Sequence, residues 1–208
     1  MIDEDNAVLN PPQKPLLLVL SGLSGAGKDT VLDRLEESGF PAVHVTTVTT
    51  RAPRPNEKDG EHYHFISNDK FHKMRSDNEL LENASVYGNW YGVPRRPVKK
   101  ALDEGKDVII KVDVQGALTI KKIAPEAVFI FLASASLEEL ISRLRQRRTE
   151  TEADLDLRIN TAQEELEKLP QFDYLVVNRQ GEVKQAVADI RAIYNAEKCR
   201  VRPRNISL

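Results

Sequence analysis

Residues 22–30 read GLSGAGKDT, three glycines spaced ahead of a lysine, directly after the apolar run LLLVLS (Leu16–Ser21). A continuous apolar run of that length bounded by glycine predicts a strand buried on both faces, as in a parallel sheet. From Lys28 onward Val31, Leu32 and Leu35 share one helical face, which stops at Ser38 and Gly39. The order is therefore strand, glycine turn, helix. In such a turn successive amides point inward and the helix start adds a favourable dipole, so a polyphosphate can replace water without leaving its oxygens unpaired. Gly22, Gly25 and Gly27 supply the close backbone approach, Ser24 and Ala26 complete the turn, and Lys28 is placed to bridge β- and γ-phosphates as a point charge.

Asp29 departs from the usual pattern, which has Ser or Thr there. Its amide still serves the turn, and a carboxylate in a first helical turn gains about 0.3–1 kcal/mol. Pointed at polyphosphate, however, it would repel the ligand unless Mg²⁺ or water lay between. The expectation is that Asp29 faces the metal's outer shell or turns away, that Thr30 offers the nearby hydroxyl, and that Asp29→Ser preserves activity.

Outward from this unit, strand and helix patterns alternate. Helices are expected at 95–104, 117–123, 137–148, 152–169 and 183–196, and strands at 107–113, 127–132 and 174–177. That alternation predicts an α/β fold with a central parallel sheet flanked by helices. Residues 45–93 differ in texture: a β-branched run, a turn-rich charged patch, a short helix at 68–75 and strand-like text in LLENASVYGNWYGVP. They read as an inserted mixed lobe between core segments 15–44 and 94–197, with a loose arm at 1–14 and a solvated basic tail at 198–208.

The whole chain bounds the possibilities. Its 208 residues, 40% of them hydrophobic, suit one domain, and a net charge of −2 gives no polycation signature for nucleic acid. The single cysteine, Cys199, excludes an intrachain disulfide and favours a reducing compartment. The longest early apolar run is too short for a membrane span, so a cytoplasmic protein without a membrane partner is expected. The four histidines make no pattern with metal-ligand spacing, so no protein-bound metal is expected.

A second anion site is written in TTRAPRPNE. Arg51 and Arg54, near Thr47, can surround a dianionic phosphate with directed, bidentate donors that lysine could not match. Tyr63, Glu82 and Tyr91 lie across the same lobe. A glutamate accepts from the adjacent ring N–H and amino group that guanine has and adenine lacks on that edge. The outline is a nucleoside monophosphate pocket.

These residues carry a resemblance. The chain resembles the guanylate kinases, P-loop nucleoside monophosphate kinases, from about Leu16 to Ile193, through GLSGAGKDT, TTVTTRAPRPNEKDGEHYHF, ENASVYGNWYG, VDVQGA, RLRQRRTET and YLVVN. The resemblance implies a P-loop kinase fold with an inserted acceptor lobe and a helical lid at about 143–160. It implies transfer of the γ-phosphoryl of ATP to GMP or dGMP, Mg²⁺ carried by ATP, and a monomer or weak homodimer. Thr47, Arg51, Arg54 and Tyr63 would hold the acceptor phosphate, with Glu57 closing the lobe. Glu82 would read guanine, Tyr91 would frame the acceptor, and Asp113 would line its site. Lys28, Arg147 and Arg158 would act on the transferring phosphoryl, aided by Arg143, and Asn178 would lie near adenine. Four residues depart from the family pattern: Asp29, Val93 where Ser or Thr is common, Lys111 where an acid usually precedes Asp113 by two, and Arg148 in place of a lid glycine. Two rival readings are a kinase for another small phosphate acceptor and a non-catalytic module that binds phosphopeptides.

Overall fold

The computed structural model describes residues 13–55, 57–146 and 152–208. The run that opens the chain's apolar pattern forms β1 (Leu17–Gly22), buried along its whole length. It lies at the centre of a five-stranded sheet with β2 (Val43–His44), β7 (Val108–Lys111), β8 (Val128–Ala133) and β9 (Tyr174–Val177), in the order β2-β7-β1-β8-β9. Every pairing in it is parallel. Successive side chains of a strand point to opposite faces. Leu18 and Leu20 accordingly join Val31, Leu32, Leu35, Ile190 and Tyr194 on one side, while Leu17 and Val19 join Val98, Ala117 and Ile120 on the other. Each such leucine stabilises the fold by about 1.5–3 kcal/mol on full burial.

The first face is covered by α1 (Lys28–Glu37), part of α5 (Leu137–Gln146) and α7 (Val183–Lys198), the second by α3 (Arg95–Asp103) and α4 (Val114–Ile123). A second, mixed sheet holds β3 (Val48–Thr49), β4 (His64–Phe65), β5 (Leu80–Val86) and β6 (Asn89–Pro94), ordered β4-β3-β6-β5. Helix α2 (Asn68–Ser76) closes it, with Phe71 stacked on Trp90 at 5.7 Å. Among the described residues no helix is long and apolar enough to cross a membrane.

Several boundaries differ from the sequence reading for identifiable reasons. Helix α4 starts at Val114, three residues before the expected start, because Asp113 caps it by accepting from the Gly116 amide at 2.6 Å. Helix α6 (Glu152–Leu166) ends before Pro170, and a 3₁₀ turn at Leu169–Gln171 takes over. The basic tail is exposed at residues 199–203 but is anchored beyond them. Arg204 lays its guanidinium on the buried Glu197 carboxylate at 2.8 and 2.9 Å and donates to the Ala127 carbonyl, while Ile206 and Leu208 pack against the second core face.

Because β1 and β7 are neighbours and parallel, the glycine turn after β1 and the segment 112–113 after β7 leave the sheet at the same edge. Leu20 pairs with Lys111 there. That edge, facing the second sheet, forms the cleft.

Candidate functional site

The turn after β1 is held from behind. Gly22 has φ +129°, and a Cβ on it would come within 2.0 Å of the Leu132 carbonyl oxygen; Gly27 has φ +90° and abuts the Asn178 amide. Only glycine takes such conformations without strain, and here the space is closed too. The Ala26 carbonyl accepts from Asn178 Nδ2 at 2.8 Å and from Arg143 at 3.1 Å. Arg143 also donates to the Asn178 carbonyl and to Glu139. Arg143 therefore braces the turn through the Ala26 carbonyl. Asn178 is likewise buried against Ala26.

Inside the cleft, Lys28 donates its Nζ to the carbonyls of Gly22 at 2.6 Å and Leu23 at 3.0 Å. Burial pushes its ammonium below the usual range, against the raising influence of Glu165, Asp29 and Asp113. Glu165, on α6, accepts from the Ser24 amide at 3.0 Å and is itself pushed up by burial. Nothing in TAQEELEK distinguishes Glu165 from a solvated helical glutamate, so it was not foreseen. Asp29 faces Lys111, Oδ1 to Nζ 2.5 Å, and Tyr63 donates to the same Oδ1 at 3.4 Å. Its carboxylate thus lines the cleft at the mouth of the turn, engaged by the Lys111 ammonium. Thr30 is exposed on α1.

The residues expected to form a second anion site come together at the cleft, but they are organised differently from their sequence outline. Arg51 gives two bonds to the Glu57 carboxylate at 2.9 and 2.8 Å, one to the Ala52 carbonyl and one to the Tyr91 hydroxyl. Four of its five N–H groups are thereby taken by described residues. Burial works to raise the Glu57 carboxyl, but the Arg51 bonds and the Arg54 amide hold it below the ordinary carboxylate range. Arg54 stands 3.9 Å from Glu57 with its side chain 38% exposed, the more available of the two guanidinium groups. Thr47 is only 3% exposed, and its hydroxyl donates to the Lys111 carbonyl, so it is not brought to the cleft surface.

Glu82 sits one layer deeper, 4% exposed on β5, with Oε2 lacking any hydrogen-bond partner among the described residues. Burial, then the neighbouring Asp113, push its carboxyl up to about 8. Gly116 makes room for it, since a Cβ there would lie 2.6 Å from Glu82 Oε2. Val93 is fully buried in the second core face, so it does not line the cleft. Arg158 lies 4.9 Å from the centre of the Tyr87 ring. Arg147 and Arg148 lie outside the described residues.

One cleft is lined by both groups: Ser24, Gly25, Gly27, Lys28 and Asp29 on one side, Arg51, Arg54, Tyr63, Tyr87 and Tyr91 on the other, with Lys111, Asp113, Arg158 and Glu165 between or above them. Among the described residues no cluster of three or more His, Cys, Asp or Glu is placed to hold a metal.

Comparison with known proteins shows the family of the chain. The family model described as guanylate kinase matches residues 14–197. A guanylate kinase of Halalkalibacterium halodurans is 46% identical over 188 residues, 90% of this chain and 91% of its own. "Guanylate kinase 2, chloroplastic/mitochondrial" of Oryza sativa subsp. japonica is 43% identical over 201 residues, 96% of this chain and 70% of its own. The crystal structure of guanylate kinase from Anaplasma phagocytophilum superposes with a TM-score of 0.75 at 32% identity, covering 90% of this chain and 88% of that one.

Proposed function

The chain belongs to the guanylate kinase family, whose members are ATP:GMP phosphotransferases, and from that premise we propose how its residues divide the work. The glycine turn and Lys28 hold the ATP phosphates. Arg54, Arg51, Tyr63 and Tyr91 hold the GMP phosphate, and Glu82 reads the guanine edge. The observation that carries this reading is the single cleft lined at once by the turn and by the arginine and tyrosine set.

The chemistry asks little of any one residue. A phosphate monoester has its second pKa near about 6, so the acceptor oxygen is largely ionised at neutrality and no dedicated base is needed. Alignment of attacking and leaving oxygens, and charge on the moving phosphoryl, are the protein's contributions. Lys28 must turn from the Gly22 and Leu23 carbonyls toward the phosphates, and Arg158 is close enough to the cleft to join it. Arg147 is proposed for the same role from family resemblance. Mg²⁺ would neutralise charge on ATP; Asp113, a carboxylate lining the cleft beside Lys28, is an oxygen donor that fits an ion held mainly by phosphate oxygens.

Guanine selection rests on an orphaned atom. Buried polar groups nearly always have partners, and Glu82 Oε2 lacks one among the described residues. A ring N–H with an adjacent amino group supplies two donors to one carboxylate, which adenine cannot do on that edge. A coupled assay of ADP release with GMP, dGMP, AMP and UMP, with and without Mg²⁺, tests the assignment. GMP is expected to be the fastest acceptor and Mg²⁺ to be required; faster use of a non-guanine acceptor would overturn the role of Glu82.

A further inference from the structure

Two of the residues that depart from the family pattern touch each other. Lys111 ends β7, and its register opposite Leu20 brings it to the mouth of the glycine turn. Its side chain is 5% exposed, and its ammonium meets Asp29 Oδ1 at 2.5 Å. It also lies 4.1 Å from the centre of the Tyr63 ring, while Tyr63 reaches Asp29 with its hydroxyl. The cluster joins the first turn of α1, the end of β7 and the acceptor sheet. Although burial works to lower it, Asp29 and Tyr63 hold the Lys111 ammonium above its usual range, so it is a fixed positive charge.

Each departure alone would harm a phosphate site. A carboxylate one residue beyond Lys28 opposes an incoming polyphosphate, and an ammonium this deeply buried is costly without a counter-charge. Together they cancel. Where the family pattern has a hydroxyl and an acid, this chain has an acid and a base in contact.

We propose that Asp29 and Lys111 form one positioning unit, in which Lys111 is a resident cation that neutralises Asp29 at the mouth of the glycine turn and so makes ATP affinity less dependent on Mg²⁺. A purely structural ion pair would affect stability and weaken ATP equally with and without the metal. The proposal rests on the glycine turn being the ATP site.

The test is equilibrium binding of ATP to the full chain, in EDTA and in saturating Mg²⁺, for wild type, Lys111→Met, Asp29→Asn and the double variant Asp29→Ser with Lys111→Met. In EDTA, Lys111→Met is expected to bind ATP about tenfold more weakly than wild type, the effect of one unscreened charge at short range. In Mg²⁺ the gap should close to about threefold or less, since the metal then shields the Asp29 charge. The double variant should return to about threefold of wild type in EDTA, because neither charge remains. Asp29→Asn, which keeps the shape and removes the negative charge, is expected to tighten ATP in EDTA. Equal weakening of Lys111→Met in both conditions, or a double variant as poor as Lys111→Met, would overturn the proposal. Should Lys111→Met fail to fold, Asp29→Asn decides the matter by its sign, and weaker ATP binding in EDTA is the contrary result. Wild type that binds no ATP in either condition would instead remove the ATP-site reading itself.

Discussion

A Cβ built on Gly116 would lie 2.6 Å from Oε2 of Glu82 and 3.0 Å from its Cδ. In an ordinary helix, replacing glycine by alanine stabilises by about 0.5–1 kcal/mol. At Gly116 the added methyl must displace a buried carboxylate, so the usual sign reverses at the acceptor pocket. Gly116→Ala is expected to raise the KM for GMP about tenfold or more, a loss of about 1.4 kcal/mol, while binding of ATP stays near wild type. Steady-state kinetics with each substrate varied in turn would check it, and an unchanged KM for GMP would show that Glu82 does not meet the base.

The same glutamate makes GMP binding respond to pH. With its carboxyl pushed up to about 8, Glu82 is protonated in the empty site at neutrality, yet it must be ionised to accept from two guanine donors. GMP binding is therefore expected to release a proton below about pH 8 and to strengthen as pH rises toward that value. Calorimetry in buffers of different ionisation enthalpy measures the release, and Glu82→Gln should abolish the part due to this group. In the empty protein the folded state keeps a proton that the unfolded chain loses near its ordinary carboxylate value. Stability from this group thus declines as pH rises between the two values, and Glu82→Gln should flatten that decline.

Arg51 and Arg54 are three residues apart, but their expected losses differ. Arg51 is locked by two bonds to Glu57 and one to Tyr91, so Arg51→Lys loses the fork that sets the pocket's shape. Arg54 is engaged mainly at its backbone, so Arg54→Ala removes a charge from the acceptor phosphate and little else. Both are expected to raise the KM for GMP by about tenfold to a hundredfold, the size of one charged hydrogen bond. Only Arg51→Lys is expected to lower thermal stability as well. Thermal melts beside the kinetics would separate them, and a wild-type KM in Arg54→Ala would exclude it from the pocket.

Asn178 is expected to matter through the turn it braces. Asn178→Ala removes one of two side-chain donors to the Ala26 carbonyl, at a cost of about 1–3 kcal/mol if the carbonyl is left under-satisfied. That corresponds to a fall in Tm of about 2–12 °C for a domain of this size. The KM for ATP should rise while the KM for GMP holds. A variant with unchanged Tm that accepts GTP as readily as ATP would instead place Asn178 at the donor's base.

How much of this was legible in the residues follows from their range of interaction. LLLVLS and GLSGAGKDT are local patterns whose outcome depends on near neighbours, and they read correctly as a buried strand and an anion-binding turn. The arginine pair and the tyrosines stand out by their chemistry, and the fold brings Arg51, Arg54, Tyr63 and Tyr91 to one cleft. What escaped was pairing across the fold. Nothing local ties Glu165 to the Ser24 amide, Arg143 to Ala26, or Lys111 to Asp29, residues 82 positions apart that meet because β1 and β7 are parallel neighbours. The tail is a case of the same kind: its basic composition alone does not show the Glu197 carboxylate that lies beneath Arg204. The early start of α4 was recoverable, since aspartate is a favoured N-cap residue and Asp113 stands directly before Val114.

The central claim is that two phosphates are held end to end in one cleft, one at the glycine turn and one before Arg54 and the tyrosines. A single molecule bearing adenosine and guanosine joined through a polyphosphate bridge tests this most directly, because one molecule would engage both sites at once. Its affinity is expected to exceed that of ATP or GMP alone by about a hundredfold or more, and to fall in both Lys28→Met and Arg54→Ala. Affinity no better than that of the tighter single nucleotide, or loss in only one of the two variants, would contradict the account.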